Sequence, residues 1–480
     1  MRPTRQCAVA CLPLLMIPGV ALAQICGGAE VATNCCRASS GQFTDSNWSC
    51  LSAPSPTDSW GIQSANPVSI SINGSHSTGR LYYTDLTTTT IDLGGGSLTL
   101  LSNGVISNLI ANNVGVNAAL IGYSTFGGGP AELFVSNTSG IRRAFSTHGN
   151  VVIGTLGGRG FLRVSGNVAA PESTIEFNIN DSGGAIGNGM LVVGGTPSSE
   201  TAFATGSAGL VEFGDRVTIR SRGAEIGSTA VDAIGTVLLT GNDVLWNNAS
   251  GTITLGVQGA PTNPSFGQLF VGTSSTIQSG GVILNAGILA GDGVINADVV
   301  AQDANAIIQP GPLPGASTVA TGPLHLNGDV TITEGALQID LLNSASHQFQ
   351  DQIVSAASGS TYTLGGALNV NIVPGFTPVP GDVYTPVHAI GGTVVETFDT
   401  HMLPDLPDHR VHVRYRSDRV ELLITYKSDE NGDCRVNGVD IAAVLSMWGT
   451  DDAGSDLNGD GVVNGIDLGV VLSQFGLTCD

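Results

Sequence analysis

The sequence predicts a mainly β protein: a right-handed parallel β-helix solenoid over residues 61–317, an antiparallel β segment capping it over 318–426, and a small all-α module at 427–480. Three observations predict this. A glycine-centred phrase recurs through the first half of the chain. Apolar residues alternate with period two and hold no helical stripe between residues 24 and 426. One pattern of aspartates and asparagines occurs twice near the end. Composition agrees, because 41% hydrophobic and only 12% charged residues with 67 glycines describe short strands and tight turns rather than a disordered chain. A formal charge of −22 argues against a nucleic-acid partner, since a phosphate backbone needs a cationic footprint.

Residues 1–23 read as a secretory signal peptide. Arg2 and Arg5 precede an apolar stretch from Cys7 to Leu22, which closes on Ala21-Leu22-Ala23. Pro13 and Pro18 interrupt it, and it is short for a membrane anchor. No later run reaches about 18 uninterrupted apolar residues, so no transmembrane segment is expected in the mature chain. The expected location is therefore extracellular or at the cell surface. Residues 24–60 form a cysteine-containing N-terminal cap. Cys26, Cys35, Cys36 and Cys50 lie there, with Cys434 and Cys479 near the other end. An even count in an exported chain favours disulfides, one set per end. The first four allow three pairings, and a zinc site is disfavoured by the lack of a nearby histidine.

The repeat phrase is an apolar residue, a glycine, a spacer, then alternating apolar residues. It is carried by Gly122, Gly154, Gly187, Gly227 and Gly256, at spacings of 32, 33, 40 and 29. Spacings of that size are those of solenoids. Glycine at each corner allows a left-handed turn, and the apolar residues point into a thin continuous core. From about Leu284 the strands lengthen and alternate more strictly, with a hairpin-like Asn327-Gly328. An antiparallel segment is expected there, because an uncapped coil exposes a strand edge. The segment FTDSNWSC, the glycine phrases and the run from GILAGDGVINADV to PGDVYTPVHA resemble bacterial autotransporter-type β-helix passengers over roughly residues 40–426. Such proteins end in a membrane barrel of many amphipathic strands. Residues 427–480 are not such a barrel, so self-translocation does not carry over.

The two terminal motifs are DENGDCRVNGVD at 429–440 and DLNGDGVVNGID at 456–467. Asp429, Asn431, Asp433, Asn437 and Asp440 stand where Asp456, Asn458, Asp460, Asn464 and Asp467 stand 27 residues later. Oxygen-bearing side chains at positions 1, 3, 5, 9 and 12 of a twelve-residue loop are the spacing that wraps an oxygen-seeking cation such as Ca²⁺. The carbonyls of Arg435 and Val462 supply position 7, and Asn437 and Asn464 act through water or directly. Two Ca²⁺ ions are expected. A short helix follows each loop, with Ile441, Val444, Leu445 and Trp448 on one face of the first. Leu468, Val471, Leu472 and Phe475 occupy the matching face of the second. Gly449 and Gly476 stop these helices.

This paired unit closely resembles a type I dockerin, a calcium-dependent module that docks onto cohesin domains in polysaccharide-degrading assemblies. The resemblance implies two Ca²⁺ ions and a partner surface made by Gly438, Val439, Leu445, Ser446, Gly465, Ile466, Leu472 and Ser473. Two departures matter. Loop positions 10 and 11 are Gly438-Val439 and Gly465-Ile466, where dockerins carry hydroxylated recognition residues, so the docking surface is more apolar. Cys434 replaces the glycine of position 6, which weakens the first site relative to the second. The pseudo-twofold arrangement implied by the family brings Cys434 and Cys479 together as a disulfide.

No facing pair of carboxylates and no hydrolase, zinc-protease or nucleotide motif appears in the body, so no catalytic residue is assigned. Two basic strands remain. Arg216, Arg220 and Arg222 share one face, as do Arg410, His412, Arg414 and Arg416. Both read first as solvated faces, the second alternatively as a contact with the acidic module. The expectation is an exported β-helical structural or adhesin-like protein, tethered by a Ca²⁺-dependent module to a cohesin-like domain or another cell-surface scaffold. The alternative is a carbohydrate-active enzyme or accessory subunit in polysaccharide breakdown, with polysaccharide then a further partner.

Overall fold

The computed structural model describes residues 34–37, 41–42, 59–62, 68–78, 81–83, 88–101 and 117–123, most of 131–311, then 322–342 and 351–479. The signal peptide at 1–23, Cys26, Cys50 and the cysteine pairing expected in the N-terminal cap lie outside the described residues. The chain divides into two compact units, Met1–Ile308 and Gln309–Asp480. Both are mainly β and are built largely from parallel pairs.

In the first unit three strands complete one turn of chain. Met190–Val193, Ala208–Phe213 and Val217–Arg220 make one turn, and Gly223–Ile226, Ile234–Leu239 and Val244–Asn247 make the next. Each strand pairs in parallel with its counterpart one turn later. This stacking is compatible with the expected β-helix solenoid. In-register pairing aligns like with like. Ile121, Ile153, Val193, Ile226, Leu255, Leu284 and Ala301 form one continuous file. Leu133, Leu162, Val211, Val237, Leu269 and Leu289 form a second. Every residue of both files is buried. Each larger aliphatic side chain so buried contributes about 1.5–3 kcal/mol. A third file runs from Leu98 through Phe145 and Phe177, stacked at 5.4 Å, and reaches Trp246 through Ile219. The Trp246 Nε1–H, wholly buried, donates to Ser221 Oγ at 2.9 Å, which removes the cost of an unpaired donor in the core.

The corner glycines explain the repeat. Gly154 and Gly227 have φ of +66° and +68°, a conformation in which a side chain is strained. A Cβ on Gly154 would stand 1.9 Å from the Ala208 carbonyl oxygen, and one on Gly227 would stand 2.4 Å from that of Phe266. The turn therefore requires glycine twice over, for its φ and for close approach. One phrase is out of register in the sequence reading. Gly194, not Gly187, occupies the equivalent corner, because Val193 pairs with Ile153 and Ile226 while Gly194 N–H donates to the Ile153 carbonyl. Gly187 also has positive φ, but no backbone approaches it as closely. Apolar-then-glycine is met twice within eight residues there, and local pattern cannot choose between them.

The second unit corrects the expected antiparallel segment at 318–426. Parallel stacking persists through most of it: Ala336–Leu341 on Ala367–Ile372, and Ala367–Ile372 on Thr400–Met402. Gln352–Ser355 also pairs in parallel with Val383–Ala389. Among the described residues of this segment, antiparallel pairing is confined to Arg419–Tyr426, which lies between Val383–Ala389 and His409–Tyr415. Asn327-Gly328 joins strands of different sheets and is a corner rather than a hairpin. Alternation of apolar and polar residues reports one buried face, and a parallel strand with one solvated face alternates as strictly as an antiparallel one. Tyr362 is wholly buried, and its hydroxyl donates to the Leu326 carbonyl at 2.7 Å.

Two predictions follow from this packing. Gly227→Ala should lower stability by at least about 2 kcal/mol, from left-handed strain plus the backbone clash, in urea unfolding followed by tryptophan fluorescence. The second concerns Asp351, which is 3% exposed and accepts backbone N–H groups from Asp340 and Gly322. Burial, reinforced by the charge of Asp340, pushes its carboxyl from an ordinary 3.8 up to about 8 against the two N–H donors. The fold thus binds a proton that the unfolded chain releases, and stability should fall as pH rises from about 4 to 8. Asp351→Asn should flatten that slope in melting temperatures taken across the window; an unchanged slope would assign it to other groups.

Candidate functional site

Residues 429–480 lie in the second unit. Helix α1 spans Gly438–Ser446 and α2 spans Gly465–Gln474. Each starts on an asparagine for the same reason. Asn437 accepts the Val439 N–H at 2.8 Å while Asp440 accepts the Asn437 N–H at 2.8 Å. Asn464 and Asp467 do the same with Ile466, again at 2.8 Å. These reciprocal caps satisfy the free N–H groups of each first turn.

The loops before the helices share one hydrogen-bond network. Asp429 Oδ2 accepts the Cys434 N–H at 2.9 Å, and Asp456 Oδ2 accepts the Gly461 N–H at 2.7 Å. Asn431 and Asn458 accept from Asp433 and Asp460; those aspartates accept from Arg435 and Val462. Asp440 Oδ1 takes the Glu430 and Asn431 N–H groups, as Asp467 Oδ1 takes those of Leu457 and Asn458. The two halves are also exchanged. Val436, leaving the first loop, pairs with Gly476 and Leu477 after α2, while Val463, leaving the second, pairs with Gly449 and Thr450 after α1. Val436, Val463, Val444, Val471 and Leu457 form the buried core between them.

The structure repeats one hydrogen-bond pattern around the expected loop residues of both turns. Each holds three carboxylates: Asp429, Asp433 and Asp440 in the first, Asp456, Asp460 and Asp467 in the second. Asp429, Asp440 and Asp467 are fully buried, and among the described residues no ion pair reaches any of the six. Burial raises the Asp429 carboxyl above its usual range. Three carboxylates in one short turn are costly, and an oxygen-ligated cation would offset that cost, so the donor types present suit such an ion. Asn437 and Asn464 have their amide oxygens committed to the helix caps, and their Nδ2 groups donate to the Arg435 and Val462 carbonyls. They can therefore reach an ion through water while the caps hold. The Asp429 carboxylate also lies near the sulfurs of Cys434 and Cys479, but these form a disulfide with Cα atoms 5.1 Å apart and offer no thiolate.

The helix faces need correction. Val444 and Val471 are buried, yet Leu445, Trp448, Leu472 and Phe475 are each about half exposed, at 49, 50, 56 and 54%. Helices of nine and ten residues lying on one another bury only a narrow stripe, and the valines fill it. Of the expected partner-surface residues, Val439, Leu445, Ile466 and Leu472 present large exposed apolar groups, and Gly438, Ser446, Gly465 and Ser473 are exposed beside them. The Ser446 and Ser473 hydroxyls are turned back onto the Ala443 and Val470 carbonyls, both at 2.7 Å.

Sequence reasoning read the strand His409–Tyr415 first as a solvated face and alternatively as a contact with the acidic module, and the structure agrees with the alternative. The structure places three of its side chains on the first loop. Arg410 pairs with Glu430 at 3.1 Å and donates to the Gly454 carbonyl. His412 Nε2 contacts the Asp429 carbonyl at 2.9 Å, and Arg414 donates to the Gly432 carbonyl. Arg416 turns instead to Glu421. The signal was the alternation of cationic residues in HRVHVRYR, next in the chain to a strongly acidic segment. In the first unit, Arg216 and Arg220 reach Asp243 and Glu176 along their own face.

Among the described residues no helix is long and apolar enough to cross a membrane. No protein-family model matches the chain, and no curated protein matches it.

Cys434 carries the left-handed φ of +67° where Gly461 carries +87°. The disulfide and this strain are separable. Cys434→Ser with Cys479→Ser should lower the stability of the module by about 2–4 kcal/mol. Cys434→Gly with Cys479→Ser should recover about 1 kcal/mol of that in the same denaturation experiment, because glycine removes the strain.

Proposed function

We propose that the chain is an exported β-helical structural or adhesin-like protein, held in a protein assembly by a type I dockerin-like module at residues 427–480. In this reading the module binds two Ca²⁺ ions and docks a cohesin-like domain. The observation that carries it is the duplicated loop: one hydrogen-bond network, made twice at an offset of 27 residues, holds three carboxylates in each turn next to exposed apolar helix faces. Asp429, Asn431, Asp433, the Arg435 carbonyl and Asp440 would hold one ion. Asp456, Asn458, Asp460, the Val462 carbonyl and Asp467 would hold the other. When bound, each ion supplies the positive charge that lets these groups converge.

The chain's own residues then set the partner chemistry. Asp440 and Asp467 connect each loop to its helix cap, so loop order fixes where α1 and α2 begin. That in turn fixes Val439, Leu445, Ile466 and Leu472 at the surface. Exposed large apolar groups on so small a module mark an interaction site. With Val439 and Ile466 at loop position 11 and the serine hydroxyls turned inward, recognition rests on apolar contact rather than hydroxyl hydrogen bonds. The parallel-stacked body supplies a stiff element behind this attachment.

Calorimetric titration of the full chain should give two bound Ca²⁺ ions, and one in Asp467→Ala. Leu445→Asp with Leu472→Asp should keep both ions yet lose the Ca²⁺-dependent capture of a cohesin-like domain from surface extracts. A chain that binds no Ca²⁺ would sink the reading.

A further inference from the structure

The two loops are alike within the module and differ in what touches them from outside. Gly432, fourth in the first loop, is buried against the His412 ring; a Cβ there would stand 2.8 Å from Nδ1. Gly459, its counterpart, is exposed with nothing within 4 Å. The first loop receives His412 on the Asp429 carbonyl, Arg414 on the Gly432 carbonyl and Arg410 on Glu430. It is further joined through Cys434 to Cys479, which closes over Gly381. Ser428, just ahead of the loop, is bonded to Gln474 of α2. At the second loop, Leu457 fills the place that Glu430 holds in the first, and among the described residues the loop's hydrogen bonds come from within the module.

We infer that Arg410, His412 and Arg414 are positioning residues for the first loop. They hold its main chain in the ligating shape whether or not an ion is bound, whereas the second loop depends on its ion for order. Guanidinium donors on carbonyls are charge-assisted, and three attachments on consecutive outward positions of one strand restrict the loop as a unit. Glu430 is explained by the same device. Its carboxylate pairs with Arg410 at 3.1 Å, and a leucine at this place would leave Arg410 without that partner. The module would thus be fixed to the strand His409–Tyr415 mainly through its first loop, with Arg410 also reaching the Gly454 carbonyl between the halves, leaving the second loop itself to respond to Ca²⁺.

The inference rests on the Ca²⁺ reading only for the second loop, which makes the two separable. Hydrogen exchange on the full chain, read by mass spectrometry with Ca²⁺ and with chelator, tests both. In chelator, amides of 456–467 should exchange at least about tenfold faster than in Ca²⁺, while those of 429–440 change little. Arg410→Gln with Arg414→Gln should remove protection of 429–440 in chelator, with peptides from 336–372 unchanged as the control for folding. Arg414→Lys, which keeps charge without the planar fork, should show an intermediate loss. Equal deprotection of both loops in the unaltered chain, or full protection of 429–440 in the double variant, would overturn the inference. If neither loop responds to Ca²⁺ and the double variant still loses protection, the positioning role stands and the Ca²⁺ reading falls.

Discussion

A parallel strand in a coil has no hydrogen-bond partner within its own turn. Its amides and carbonyls are satisfied only by the turns before and after it, so register with those neighbours governs everything else. A slip of one residue would turn Ile226 outward and bring Glu225 into the file between Val193 and Leu255. Register therefore has to be restored after every corner. The glycines at 194, 227 and 256 do this, each donating its N–H to the preceding turn. Length can vary only where register is not at stake. The connection from Val193 to Ala208 is longer than that from Ile226 to Ile234, and the strands on either side still align. The irregular spacing of the repeat is a consequence of this freedom.

The same constraint creates a difficulty wherever stacking stops, since the last strand presents unsatisfied groups. In the second unit the answer is a change of direction. Arg419–Tyr426 runs antiparallel to Val383–Ala389, and His409–Tyr415 covers its other side. An outer strand made of alternating arginine and histidine is poor material for edge-to-edge association. Its charges are put to further use. They meet backbone carbonyls of the following loop, so the element that ends the sheet also anchors what comes next in the chain.

Glycine corners and buried files were legible in the sequence because both are local: a left-handed turn needs glycine, and a one-sided strand needs alternation. Gly187 was mistaken for Gly194 because each satisfies the local rule and only pairing with the neighbouring turns separates them. The parallel character of residues 323–402 was not legible for a related reason. Direction belongs to pairs of strands, and alternation belongs to one. In the terminal module the repeated spacing was legible, and it reappears as one hydrogen-bond pattern made twice. The helix faces were only half legible. Leu445 and Trp448 fall on an apolar stripe with Val444, but how much of the stripe is covered depends on the partner helix, which is itself only ten residues long.

The duplicated module also shows what departures from a repeat can mean. Glu430 and Leu457 hold equivalent places, as do Cys434 and Gly461, and in both pairs the first half is the less favourable in isolation. A carboxylate replaces a core leucine, and a side chain replaces glycine at positive φ. Neither change is compensated inside the module's own repeat. Glu430 is compensated by Arg410, which belongs to the preceding strand, and Cys434 by Cys479, which belongs to the chain beyond α2. Both compensations are attachments, and both act on the first loop. The second half kept leucine and glycine, residues that ask nothing of their surroundings. The first loop is thus joined to Arg410 and to Cys479, while the second keeps Leu457 and Gly461 and its own hydrogen bonds.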